Sequence, residues 1–204
     1  MVRIDHRQVC VFLGLALLAS LVVAEDLVED TRYYDVAGET AAEIWHEMKT
    51  YGPVGKDGIR YNGNTRWSVR WRYPYARSAE GCATGPVAVR LSVVYSLPRW
   101  ERPRGASAEL ESQWNRFIEA LDEHEQGHAE FGRQAAREIE QALEAIPAQP
   151  SCDALSRIAN ATGAEILEQT RPQERAYDQR TNHGATQGTA FFRELAQGRT
   201  TSRH

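Results

Sequence analysis

The sequence has no block of basic residues, no internal repeat, no long low-complexity tract and no CxxC pair. With a net charge of −4 over 204 residues, the first absence argues against a nucleic-acid partner, whose phosphates call for a concentrated positive face. Arg66, Arg70 and Arg72 do lie among aromatics, but they read as the solvated face of a strand. Missing repeats exclude a solenoid or propeller. The missing CxxC argues against a cysteine-ligated zinc. The one sustained apolar run, Val9 to Val23, is too short to span a bilayer comfortably. Arg3 and Arg7 precede it, and Val22-Val23-Ala24 offers a small-residue cleavage site before Glu25-Asp26. Residues 1–24 therefore read as a signal peptide, with an uncleaved anchor as the alternative. Cys10 lies inside the run, which argues against a lipoprotein signal. The expectation is an exported protein, periplasmic or secreted, with no stable membrane insertion once the signal is removed.

Cysteine is scarce. Of three, Cys82 and Cys152 remain after export, and in an oxidising compartment two thiols most simply pair. The alternative is two free buried thiols. Closing a loop of that length stabilises by ~4 kcal/mol in the chain-entropy model.

Roughly 180 residues then remain, enough for one domain with a core. Tyr33 to Ala37 reads as a short strand and Glu39 to Tyr51 as a helix that Gly52-Pro53 stops. From Thr65 to Tyr75 the chain alternates, with Trp67, Val69, Trp71 and Tyr73 on one face. Val87, Val89, Leu91, Val93, Tyr95 and Leu97 form the inward face of a further strand, which Pro98 is expected to end. A long helix follows, then a helix from Cys152 to about Thr170 with Ser151 as its cap and Pro172 as its stop. Residues 185–204 read as a mobile polar tail in which Phe191, Phe192 and Leu195 could make one short helix. This order suggests an α+β fold, a small antiparallel sheet packed on helices, with the domain proper spanning 25–184.

The long helix carries the chemistry. His124-Glu125-Gln126-Gly127-His128 is an H-E-x-x-H pentapeptide. Residues four apart share one face of a helix, so two imidazoles at that spacing can grip one zinc ion. The glutamate between them flanks that face, where it can reach water at the metal. With His124 at zero and about 100° per residue, Leu110, Trp114, Phe117, Ile118, Leu121 and Ile139 fall mostly in a stripe from about −20° to +120°. Both histidines lie inside it. They interrupt the buried face, and buried polar groups need partners that a metal could supply. A histidine that is merely hydrogen-bonded in a core is the ordinary alternative. Gly127 in mid-helix costs ~1 kcal/mol relative to alanine, which suggests close approach by another backbone. His46 also precedes a glutamate, but Thr50 stands where a second histidine would be needed.

A catalytic zinc takes three protein ligands. Downstream, Tyr177-Asp178-Gln179-Arg180-Thr181-Asn182-His183-Gly184 gathers a phenol, a carboxylate and an imidazole beside a glycine. His183 is the favoured third ligand. Asp178 is the alternative, or an orienting partner for a histidine.

From about Tyr34 to Gly184 the chain resembles a bacterial family described as predicted secreted zinc-dependent proteases. The likeness rests on Trp67-Ser68-Val69-Arg70-Trp71 before Cys82, on Leu97-Pro98-Arg99-Trp100, on Trp114 ahead of the H-E-x-x-H, on Cys152, and on Tyr177-Asp178, Arg180-Thr181 and His183-Gly184. The resemblance implies a zincin-like metallopeptidase with Zn2+ as cofactor and a peptide or protein as substrate. Glu125 would act as general base, and Tyr177 or Arg180 would stabilise the oxyanion. By analogy with zincins, the strand from Val87 to Leu97 could hold an extended peptide by edge pairing. Two alternatives stand beside this. One is a non-catalytic envelope zinc-binding or interaction module, closed by a fourth ligand such as Asp178. The other is a zinc amidase acting on cell-wall peptides.

Overall fold

A computed structural model describes residues 26–198; the expected signal segment lies outside them. The chain is α+β. A three-stranded sheet has β5 (Ala88–Trp100) at its centre, flanked by β1 (Asp26–Val36) and β2 (Asn64–Arg72). β2 runs antiparallel to β5, but β1 runs parallel to it, so the sheet is mixed. A separate hairpin joins β3 (Tyr75–Ser78) and β4 (Gly81–Thr84).

The alternation of β5 is borne out: Val89, Leu91, Val93, Tyr95 and Leu97 are all buried, and Val87 is buried just before the strand. Pro98 does not end it. β2 stops pairing at Ser96, so the missing amide falls where β5 is paired on one side only, a position that tolerates proline. Because β5 is central, both of its edges are occupied from Arg90 to Ser96, and that stretch cannot take an extended peptide by edge pairing. β1 is 11 residues long where a short strand was expected. Most of its side chains are exposed, so apolar alternation could not reveal it.

α1 (Ala41–Tyr51) is capped by Thr40 and buries Ile44 and Met48. α2 (Ala108–Glu144) is capped by Ser107 and lays its apolar stripe on β2 and β5. At 37 residues it is about 55 Å long, and α3 (Cys152–Thr181) returns along it. Pro172 sits inside α3 and does not stop it. A proline there costs on the order of 3 kcal/mol, and the contacts that the last turns make with α2 offset it. The Cys82–Cys152 disulfide is present and ties β4 to the first turn of α3.

Of the tail expected over 185–204, residues 185–198 are folded against the domain, and 199–204 lie outside the described residues. A 3-10 turn (Ala185–Gln187) leads to α4 (Ala190–Ala196). Phe192 is fully buried, its ring 5.0 Å from Phe117 and 5.7 Å from Trp114. No helix among the described residues is long and apolar enough to cross a membrane.

Candidate metal centre

His124 and Glu125 are buried, at 4% and 3% exposure, and His128 is half-buried one turn on. The last turns of α3 lie opposite and present Glu174, Tyr177 and Asp178, spaced to share one helical face. The Asp178 carboxylate meets both imidazoles: Oδ1 is 3.4 Å from His124 Nε2 and 3.1 Å from His128 Nε2. One ligand atom from each of the three residues lies within 4.8 Å of the others. Tetrahedral zinc with bonds of about 2.0–2.2 Å holds its ligand atoms about 3.4 Å apart. The observed spacings and the two-nitrogen, one-oxygen donor set fit such an ion.

Each imidazole has a polar neighbour behind it. His124 Nδ1 is 3.0 Å from Gln187 Oε1, which makes Nδ1 the protonated nitrogen and leaves the Nε2 lone pair for the centre. The Gln187 amide donates to the Tyr177 hydroxyl at 3.1 Å, and that hydroxyl donates to the His124 carbonyl at 3.2 Å. The Tyr177 ring stacks on the His124 ring, with centroids 5.2 Å apart and planes 12° from parallel. Behind His128, Nδ1 lies 3.9 Å from Glu174 Oε1, which accepts from Trp67 Nε1 at 2.8 Å.

The electrostatics follow from this crowding. Burial pushes the His128 imidazole down, but the Asp178 and Glu174 carboxylates outweigh it and hold it up at about 9. Burial pushes Asp178 up, but the His124 and His128 imidazoles beside it outweigh that and keep it well below the usual carboxylate range. A proton and a metal ion would therefore compete for the same lone pair of His128.

Glu125 has its own pocket. Thr65 Oγ1 donates to Oε2 at 2.7 Å and to the Glu125 carbonyl at 3.0 Å. Oε1 lies against Gly63, where a Cβ would come within 2.6 Å of it. Burial raises the Glu125 pKa, more than the Thr65 hydrogen bond and the nearby imidazoles lower it.

His183 stands apart from the three-atom group. It is 53% exposed, its Nδ1 is 3.5 Å from Asp178 Oδ1, and its ring is 5.7 Å from that of Tyr61. It sits in a left-handed turn, with φ of 48° at Asn182, 52° at His183 and 79° at Gly184. Asparagine and glycine suit that region, and histidine enters it more often than most residues. Gly184 also passes close to His124, within 3.1 Å of its Cγ for an added Cβ. Tyr177 faces the α2 backbone, and Arg180 is exposed.

Gly127 owes its place to a side chain and not to another backbone: an added Cβ would lie 2.1 Å from the Tyr177 oxygen. Sequence reasoning missed Gln187, Glu174, Trp67 and Thr65 as partners of the centre. Glu174 becomes visible once α3 is continued past Pro172, because it precedes Asp178 by one turn. Nothing in the local pattern marks Gln187 or Thr65.

Residues 31–184 match a family described as bacterial protein of unknown function (DUF922). The chain belongs to that family. The match takes in every residue of the centre except Gln187, which follows its last position. No curated protein and no solved structure matches the chain.

Proposed function

We propose that this member of the family is an exported zinc-dependent metallopeptidase, periplasmic or secreted, that hydrolyses peptide bonds. The observation that carries the reading is the convergence of His124 Nε2, His128 Nε2 and Asp178 Oδ1 beside the buried Glu125 carboxylate. These three residues would hold the ion. Zinc, when bound, supplies a Lewis acid for the carbonyl under attack and acidifies water.

The rest of the chemistry belongs to the chain. Burial makes Glu125 a stronger base than an exposed glutamate, which suits it to take a proton from water. Thr65 holds Oε2, and Oε1, which has room only because Gly63 carries no side chain, is the oxygen left for that transfer. Glu125 would then deliver the proton to the departing amine. Gln187 and Tyr177 hold His124 in one tautomer and one plane, so that its lone pair needs no reorientation. Glu174, itself steadied by Trp67, places a negative charge 3.9 Å behind His128 Nδ1.

The test replaces Glu125 by glutamine, which keeps size and removes the base. Hydrolysis of peptide and cell-wall peptide substrates should fall by about 10²–10⁴ at matched zinc content. Turnover unchanged in Glu125→Gln would refute the mechanism. Zinc below about 0.2 per chain after reconstitution would refute the metal site.

A second reading is a closed, non-catalytic zinc module. The observation in its favour is the His183 Nδ1 atom 3.5 Å from Asp178 Oδ1, near enough to supply a fourth ligand after a small shift. On that reading His183→Ala loses zinc and no substrate is turned over.

A further inference from the structure

Residues 53–61 form a small hairpin between α1 and β2. Val54 and Arg60 pair in an antiparallel bridge, Gly55 N donates to Ile59 O at 2.8 Å, and Tyr61 N donates to Pro53 O at 2.9 Å. Asp57 closes the turn, accepting from Ile59 N at 2.9 Å and from the Tyr61 hydroxyl at 2.6 Å. The Arg60 guanidinium donates to Gly52 O. These polar groups are spent within the hairpin and its base. Yet the hairpin holds two large apolar side chains in solvent, Ile59 at 57% exposure and Val54 at 45%.

Their two faces differ. Side chains alternate along an extended strand, so Ile59 and Tyr61 share one face and Val54 takes the other. The Tyr61 ring lies across Gly55, where a Cβ would come within 2.8 Å of it. That same ring is 5.7 Å from the His183 ring, and His183 Nδ1 is 3.5 Å from Asp178. Past Tyr61 the chain runs through Gly63, against Glu125 Oε1, to Thr65, which donates to Oε2. One side of the hairpin thus leads from Ile59 through Tyr61 and His183 to the centre.

We propose that Ile59 and Tyr61 form a subsite, on the His183 side of the centre, that receives an apolar side chain of the substrate peptide. The location rests on the metallopeptidase reading. The binding chemistry does not. Ile59 has no hydrogen bond to offer, and the Tyr61 hydroxyl is already committed to Asp57. A carboxylate placed here would lose water and meet the Asp57 carboxylate beside Tyr61, whereas an apolar side chain would cover exposed isoleucine and tyrosine ring.

The experiment measures equilibrium binding and not cleavage. Zinc-loaded Glu125→Gln protein is titrated with two fluorescent hexapeptides of alanine, one with a central leucine and one with a central glutamate. The leucine peptide should bind at least about tenfold more tightly. Adding Ile59→Asp, or the milder Ile59→Ser, should remove that preference. Adding Val54→Asp, also exposed but on the opposite face, should leave it in place. Equal binding of the two peptides, no binding of either, or a preference that survives both Ile59 variants would overturn the proposal. Self-association of the protein that Ile59→Asp abolishes would assign this face to a second copy and overturn it too. A protein with the expected binding pattern that cleaves neither peptide keeps the subsite and discards hydrolysis.

Discussion

The first and last turns of α3 are both fastened to the rest of the molecule, the first by the covalent bond from Cys152 to Cys82 and the last by Tyr177 and Asp178 against the histidines of α2. The covalent end needs nothing further once oxidised. The other end follows a proline that by itself favours unwinding, and it depends on the groups that would bind a metal. The difference separates two properties that are often entangled. Global stability should rest more on the disulfide, while order in the last turns of α3 and in residues 182–188 should follow the state of the centre.

The largest effect expected from this comparison is on stability. Replacing both Cys82 and Cys152 by serine should lower the unfolding free energy by about 4 kcal/mol in denaturant titration. Zinc stoichiometry at temperatures where the protein stays folded should not change. Loss of zinc in that variant would show that the two ends of α3 are not independent.

Next comes Asp178. Zinc binding free energies of ~10–16 kcal/mol shared over four ligands assign roughly 3–4 kcal/mol to each, so Asp178→Ala should weaken zinc by about 10²–10³-fold. His183→Ala should weaken it less than about tenfold if Asp178 closes the three-residue set. Competition with a chromogenic chelator measures both, and a reversed order would move the third ligand to His183.

Gly127→Ala is expected to be smaller and opposite to helix propensity. Alanine would gain about 1 kcal/mol in an isolated helix. Here its Cβ would strike the Tyr177 oxygen, and that side chain cannot move without disturbing the His124 stack and the Gln187 bond. A net loss of about 1–2 kcal/mol should result, read from denaturation midpoints. A stabilised variant would mean that Tyr177 yields freely.

The smallest effect belongs to Gln187. Gln187→Ala should weaken zinc by about tenfold with stability nearly unchanged. The nitrogen chemical shifts of His124 in the metal-free protein should report loss of the single tautomer.

How much of this was legible depended on which residues carried it. The buried stripe of α2, the cap at Ser151 and the inward face of β5 could all be read off, because each is a short-range rule about period or about an unpaired backbone amide. His124, Glu125 and His128 were legible for the same reason, since three residues within one turn of one helix keep their mutual geometry wherever the helix goes. β1 was only partly legible: a parallel edge strand exposed on most of its length has no apolar rhythm, and its partner is more than sixty residues away. The choice of Asp178 over His183 within the three-atom group was not legible either. It turns on where α3 ends, and Pro172 argued locally for an earlier end.

The α+β character, the pairing of Cys82 with Cys152 and the helix that brings two histidines and a glutamate to one buried face were all readable from local pattern and composition. Only the tertiary structure decided that the sheet is mixed, that Phe192 completes the core, and that Asp178, Gln187, Glu174 and Thr65 surround that glutamate and its histidines. The physical reason is range. Period, capping and oxidation act within a few residues or on composition, whereas these partners lie 46 to 63 residues from the group they serve or 60 residues before it, and only packing brings such groups together.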